Sequence, residues 1–436
     1  MEIRNALVYC EDHKFRKGTI EILGERISRV RTEESEISSS SKMDCGNPGE
    51  AARTSGGSCT NGSGETGPAS VVVQLDKGVS CANGSGETGP ASADASALDA
   101  HGLYAIPGLV DVHFHGADGC DFCDGNEESI DRIARYEAEH GVLAICPATM
   151  TFSEEKLMKV MRAAAAHKNG SGADLVGIHM EGPFVSPKKL GAQNPAFAHA
   201  PDIAMVRRLA EAADGLLKIV DIAPELPGAK GFIREISKDI VISVSHTCAD
   251  YETTRMAFKS GASHLTHTFN AMPGIHHRAP GPIPAALEAG ADAELIADGV
   301  HIHPSIVRLA FRLFGEERMI LISDSMEATG LPDGTYSLGG QAVIKRGRRA
   351  ALASDPDTIA GSVTNLFDCM KTAVLDMKVP LETAVRAAAE NPARSIGIEK
   401  DYGSIAPGRY ANVVLMDREM NVRGIVQRGR LVKLDN

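Results

Sequence analysis

Between residues 105 and 323 the sequence alternates eight times between a short β-rich run and a stretch long enough for a helix. The runs fall at 105–110, 143–146, 175–179, 217–221, 241–245, 263–266, 294–297 and 319–323, and most are apolar and bounded by polar or Gly/Pro-containing turns. The intervening stretches carry helical patterning. Residues 153–166 open on Ser153 with Glu154 and Glu155 in the first turn, and 203–213 and 304–314 are amphipathic. Strands that alternate with helices form a parallel sheet covered by those helices. Eight such units is the number that closes a barrel, so the reading is α/β with (β/α)8 TIM-like architecture.

The flanks follow a different pattern. Residues 1 to about 35 contain three short strand-like runs separated by polar turns, and the tail from 403 to 434 alternates in the same way. The two ends are expected to pair into one small discontinuous β-sandwich module, 1–105 with 401–436, beside a catalytic barrel at 106–400. A hairpin is expected at 334–353 and helices at 362–395. From about 38 to 96 the composition shifts to Ser, Gly, Asn and Thr, and the ten residues at 61–70 recur identically at 83–92. A segment of that composition buries too little apolar surface to offset its ordering entropy, so it reads as a flexible insertion with one possible strand at 71–75.

Composition narrows the function. A formal charge of −12 argues against nucleic-acid or anionic-membrane surfaces, which need clustered Lys and Arg, but leaves room for a local basic pocket. The N-terminus has no apolar signal core and no apolar run is long enough to span a bilayer, so a cytoplasmic location is expected. Nine cysteines at irregular spacings do not make a disulfide framework, and Cys120 and Cys123 read as reduced loop thiols.

In a barrel of this kind chemistry sits at the C-terminal ends of the strands. Those ends offer His113 and His115 after the first strand, Glu181 after the third, His246 after the fifth, His267 after the sixth and Asp324 after the eighth. In extended backbone, residues two apart point the same way, so His113 and His115 are expected to project together with Phe114 turned away. Taken singly, a strand-end His caps a backbone group, and an Asp after a strand caps the next helix. As a set, four imidazoles and two carboxylates suit one or two divalent ions such as Zn2+ or Fe2+. His179 reads as a supporting or core residue behind Glu181.

Longer motifs surround these residues: Pro-Gly-Leu-Val-Asp-Val-His-Phe-His-Gly at 107–116, His-Met-Glu-Gly-Pro-Phe at 179–184, Thr-His-Thr-Phe-Asn-Ala-Met at 266–272, Ala-Asp-Gly-Val-His at 297–301 and Ile-Ala-Gly-Ser at 359–362. The first resembles the opening motif of the amidohydrolase superfamily. Together they resemble the N-acetylglucosamine-6-phosphate deacetylases, across nearly the whole chain apart from the insertion. The resemblance implies a metal-dependent hydrolase barrel that releases acetate from N-acetylglucosamine 6-phosphate. It implies that Glu181, His246 and His267 bind the principal metal, that His113 and His115 hold a second ion, and that Asp324 is the catalytic acid/base. It also implies substrate contacts at Ala192, Asn270, Ala271, Arg278, His301, Ile359, Ala360 and Gly361. In that family the residue matching Arg278 reaches the phosphate of the neighbouring subunit's substrate, so the resemblance implies a homodimer.

Gln193 is a candidate hydrogen-bond partner for the acetyl group, with loop packing as the competing role. Two other functions stand beside this one: another metal-dependent amidohydrolase, of cyclic-amidase or adenine-deaminase type, and a non-catalytic relative. Many cyclic-amide relatives bridge two metals with a carboxylated Lys from the fourth strand, and the sequence Asp-Ile-Ala-Pro at 221–224 supplies none.

Overall fold

The computed structural model describes residues 1–33 and 97–434. The insertion expected at 38–96, with its internal strand, lies outside the described residues.

The eight barrel strands are present and parallel. One sheet runs Asp174–Leu175, Val142–Ile145, Leu109–Asp111; a second runs Ile178–Met180, Leu217–Ile222, Val241–Val244, His264–Leu265, Asp292–Ile296, Met319–Ile322. The third barrel strand is shared between the two sheets, where the sequence suggests one unbroken run. Its first half pairs with Val142–Ile145 and its second with Leu217–Ile222. Gly177 stands in the break because a Cβ there would lie 2.6 Å from Lys218 Cγ and 2.8 Å from Cys146 Sγ. Eighth and first strands meet at their C-terminal ends: Asp324 N donates to His113 O at 2.9 Å, and His115 N donates to Ser325 O at 2.7 Å.

The helices pack outside. Glu154–Ala166 starts at Ser153, whose hydroxyl accepts the Lys156 N–H, and buries Leu157, Val160, Met161 and Ala164. Those positions fall on one stripe of a 3.6-residue repeat, which fixes the face turned to the sheet. Pro304–Phe314 starts with proline in its first turn, where a missing N–H costs nothing, and ends at Gly315. Among the described residues no helix is long and apolar enough to cross a membrane.

The run at 105–110 is not one strand. Tyr104–Pro107 belongs to a separate eight-stranded sheet, between Glu2–Tyr9 and Val413–Met416, and Leu109–Asp111 belongs to the barrel. Gly108 is the crossing point: a Cβ there would stand 2.7 Å from the Leu143 side chain. The separate sheet gathers Phe15–Leu23, Arg26–Thr32 and Ala97–Asp99 from the N-terminal side and Val422–Gln427 and Arg430–Leu434 from the C-terminal side. It rolls so that Arg26 bridges Tyr410, and encloses its own core of Ile3, Val8, Ile20, Ile27, Val413, Leu415 and neighbours. The hairpin expected at 334–353 is a three-stranded antiparallel sheet, Gly334–Leu338, Gln341–Arg346 and Arg349–Leu352. The helices expected at 362–395 are Leu366–Leu375, Leu381–Val385 and Asn391–Ser395, with a π-helical turn at Arg386–Glu390.

Candidate active site

The first barrel strand ends at Asp111, so His113 and His115 stand in the loop beyond it and the two-residue strand period does not place them. The loop brings the rings together by another route. Its backbone is tied to the segment after the eighth strand, and the two ring centroids lie 5.5 Å apart. Phe114 is turned away into the core as expected.

All six strand-end side chains converge. Glu181 Oε1 lies 2.9 Å from His246 Nε2 and 3.1 Å from His267 Nε2, and those two nitrogens are 3.2 Å apart. His115 Nε2 lies 3.4 Å from Glu181 Oε2 and 3.3 Å from Asp324 Oδ1. His113 Nε2 lies 3.8 Å from both Glu181 Oε1 and Asp324 Oδ1. Every one of these residues is buried. His246, His267 and Asp324 have φ of 37°, 27° and 50°, the left-handed region that costs a non-glycine residue roughly 1–3 kcal/mol and that persists where the surroundings over-determine it. No helix starts after Asp324, so the helix-capping alternative does not apply to it.

The donor set fits a cation. His246 Nδ1 donates to the Lys189 carbonyl at 2.8 Å, so in the neutral ring Nε2 carries the lone pair. That lone pair meets a carboxylate oxygen and a second imidazole nitrogen, and a divalent ion satisfies such a convergence of acceptors. Both ring nitrogens of His113, Nδ1 of His115 and Nδ1 of His267 are buried without a hydrogen-bond partner. Two overlapping groups, His113 with His115 and Asp324, and His113 with Glu181 and His267, have ligand atoms all within 4.8 Å. A third close group, His113, His179 and Glu294, lacks a free Nδ1 on His179, which donates it to Val112 O at 3.0 Å. His179 Nε2 is held by Asp221 Oδ1 at 2.9 Å, the supporting role expected of it.

Electrostatics separate these groups. Burial favours a neutral Glu181, but the surrounding imidazoles of His246, His267 and His113 outweigh it and hold the carboxyl well below the usual range. Burial opposes charge on His115, yet Asp324 and Glu181 push it up to about 9. His113 moves the other way, well below the usual histidine value, through burial and the neighbouring charge of His179.

Above the cluster opens a cavity of about 380 Å³ lined by Ala192, Gln193, Asn270, Ala271, His301, Ile359 and Gly361, with His115, Glu181, His246, His267 and Asp324 at its floor. The volume suits a small-molecule site. Ala360 is fully buried behind the wall, and Arg278 is exposed, outside the cavity and without a side-chain partner among the described residues. Gln193 lines the cavity but its amide is spent elsewhere: Oε1 accepts Thr151 N at 2.7 Å, and Nε2 donates to Glu181 Oε2 at 2.6 Å and faces Met150 Sδ at 3.6 Å. It braces Glu181 and has no donor free for an acetyl group. His301 Nδ1 bonds Asp298 Oδ2 at 2.8 Å; burial opposes the imidazolium, but Asp298 outweighs it and raises the histidine.

The sequence reading missed Lys188, Lys189, Asp357 and Thr358, which also line the cavity. The Lys-Lys pair follows the Glu-Gly-Pro motif by a few residues, and that proximity was the signal available. Cys120 and Cys123 are buried free thiols and belong to none of the close ligand groups among the described residues.

Residues 104–432 match the amidohydrolase family, and the chain belongs to it. That family is metal-dependent, in keeping with the donor set above. Within it the chain is 37% identical over 333 residues to the N-acetylglucosamine-6-phosphate deacetylase of Bacillus subtilis, covering 75% of this chain and 84% of that one. It is 34% identical to the N-acetylgalactosamine-6-phosphate deacetylase of Escherichia coli O157:H7, covering 74% and 86%. Among solved structures it resembles the Mycobacterium smegmatis N-acetyl-D-glucosamine-6-phosphate deacetylase, a mutant in complex with N-acetyl-D-glucosamine-6-phosphate, at TM-score 0.79 and 30% identity over 99% of this chain and 98% of that one.

Proposed function

We propose that the protein hydrolyses the N-acetyl amide of N-acetylglucosamine 6-phosphate to glucosamine 6-phosphate and acetate. The observation that carries this reading is the buried Glu181–His246–His267 trio with Asp324 beside it, at the floor of a cavity sized for one sugar. The protein is a hydrolase, and its chemistry belongs to the barrel, 106–400, with the terminal sheet, 1–105 and 401–436, as support.

A divalent ion, zinc or iron(II), held by Glu181, His246 and His267, with His113 and His115 for a second, would polarise the acetyl carbonyl and make the attacking water more acidic. Asp324 accepts a proton from the attacking water and delivers it to the departing amine, which could not leave as an anion. Gln193 keeps Glu181 in place through its 2.6 Å bond. His301, paired with Asp298, contacts the substrate from the wall, with Asn270, Ala271, Ala192 and the 359–361 loop shaping the rest of the pocket. Arg278 acts in a second copy of the chain: it extends outward and offers a bidentate fork to the phosphate in the neighbouring subunit, so the working form is a homodimer. The proposed location is the cytoplasm.

A second reading, deacetylation of the C4 epimer N-acetylgalactosamine 6-phosphate, is favoured by the similarity to the E. coli enzyme. Acetate release by metal-loaded protein from both phosphorylated sugars and from unphosphorylated N-acetylglucosamine decides between them. The proposed reading expects the highest kcat/KM on N-acetylglucosamine 6-phosphate; no acetate from any of the three refutes it.

A further inference from the structure

Below the cluster the barrel interior holds a carboxyl group that the mechanism leaves unused. Glu294, on the seventh barrel strand, is fully buried. Its Oε2 lies 3.2 Å from His113 Nδ1 and also accepts the backbone N–H of His267 at 3.2 Å. Its Oε1 lies 3.3 Å from His264 Nε2 and 3.7 Å from His179 Nδ1. One carboxyl group therefore touches the ring of one candidate ligand and the backbone of another. Among the described residues no other acceptor stands against His113 Nδ1. On its other sides the ring of His113 meets imidazoles, with centroids 4.5 Å from His179 and 5.4 Å from His267, and its Nε2 faces Glu181 and Asp324 at 3.8 Å.

An imidazole that binds metal through one nitrogen depends on what its other nitrogen meets, because that partner fixes the tautomer and the ring plane. His246 has the Lys189 carbonyl for this purpose. His113 has Glu294. We propose that Glu294 is the positioning residue of the metal pair: from beneath, it aims Nε2 of His113 at the cavity and anchors the backbone that carries His267. The inference rests on the reading of His113 as a ligand.

Metal-stripped protein is titrated with Co2+, and bound ions are counted by mass spectrometry while the visible d–d absorption is followed. Wild type, Glu294→Gln, Glu294→Leu and His113→Asn are compared, with near-UV circular dichroism recorded on each. Wild type should take up two ions. Glu294→Gln keeps an oxygen for the His267 N–H, so it should retain the first ion and bind the second roughly 10–100-fold more weakly, the usual effect of losing an outer partner. Glu294→Leu is similar in volume and apolar, and should weaken both steps with its circular dichroism intact. His113→Asn should lose the second step. If His113→Asn loses that step while both Glu294 variants titrate like wild type, the role given to Glu294 is wrong, even if their melting temperatures fall. If His113→Asn itself titrates like wild type, the reading of His113 as a ligand fails, and the inference falls with it.

Discussion

Two regions of this molecule bury charge, and they do so in opposite ways. At the seam between the terminal sheet and the barrel, Arg428 Nε lies 3.0 Å from Asp174 Oδ2, and its Nη1 lies 3.1 Å from Glu25 Oε2. Its guanidinium lies 4.0 Å from the Tyr410 ring centroid, and Tyr402 OH completes Asp174 at 2.9 Å. Donors there meet acceptors. At the barrel mouth Glu181, His246 and His267 bring acceptors together on strained backbone, and several imidazole nitrogens have no partner. A satisfied buried network holds elements together. An unsatisfied one stays in place only because the fold enforces it, and such over-determined strain gathers where a ligand completes the set. The first region should therefore answer to stability measurements, the second to metal and turnover.

The sharpest way to break this division is Asp324→Asn. Asparagine is nearly isosteric but cannot accept and then deliver a proton, so kcat should fall ~10²–10⁴-fold with the metal retained. His246→Ala removes a ligand instead, so metal content and activity should fall together. Metal stoichiometry and kcat measured on both variants in parallel decide the roles. Near-normal turnover in Asp324→Asn would sink the proton-transfer assignment, and loss of its metal would recast Asp324 as chiefly a ligand.

Arg278 extends the comparison to a group with no side-chain partner among the described residues. Arg278→Ala should raise KM for the phosphorylated sugar ~10–100-fold, the worth of a charge-assisted contact of about 1.5–3 kcal/mol, and hardly change activity on N-acetylglucosamine. Equal losses on both substrates would place the residue outside phosphate recognition.

His301 adds a pH dependence of about tenfold in KM. Its folded value lies above the ordinary histidine value, through Asp298 acting against burial. A raised group is fully charged below its ordinary value and loses its charge as pH rises through the raised one. KM for the phosphorylated sugar should therefore climb on the alkaline side of the ordinary histidine range. Asp298→Asn should move that climb to lower pH. A KM that stays flat with pH in the wild type removes the cationic contact from the reading.

What was legible in the sequence divides along similar lines. The eight strands could be read because each is a local β-rich run, and Ser153 and Pro304 marked helix starts by their own chemistry. The strand ends carrying Glu181, His246, His267 and Asp324 followed from the barrel rule, and the structure brings all four together. The splits at Gly108 and Gly177 were hidden, because nothing in a strand's own residues says which sheet it joins. Gln193 was left between two roles, acetyl contact and loop packing, for a related reason. Its loop could be placed by motif, but not its contacts with Thr151 beyond the second strand and with Glu181 at the end of the third. Glu294 was visible only as part of a strand. Its importance lies in lateral neighbours just beyond the first and sixth strands, which spacing along the chain does not encode.

The seam gives the smallest expected effect on catalysis and the cleanest contrast. Asp174 sits in the third barrel strand and is almost wholly buried, whereas Arg428 is about a quarter exposed. Removing one partner of a buried pair leaves the other uncompensated, at a cost of about 3–5 kcal/mol when both are enclosed; the exposure of Arg428 and the remaining bond from Tyr402 place Arg428→Ala at or below the lower end. No seam residue lines the cavity. Arg428→Ala should therefore lower the melting temperature by several degrees while kcat and KM at 25 °C stay within about twofold of wild type. The double variant Arg428→Leu with Asp174→Leu should recover much of the loss, because an apolar replacement of both partners leaves no stranded charge. Calorimetry and steady-state kinetics on the same preparations test this. A fall in kcat matching the fall in stability would mean that the seam and the barrel mouth are coupled, and the division drawn between the two regions would fail.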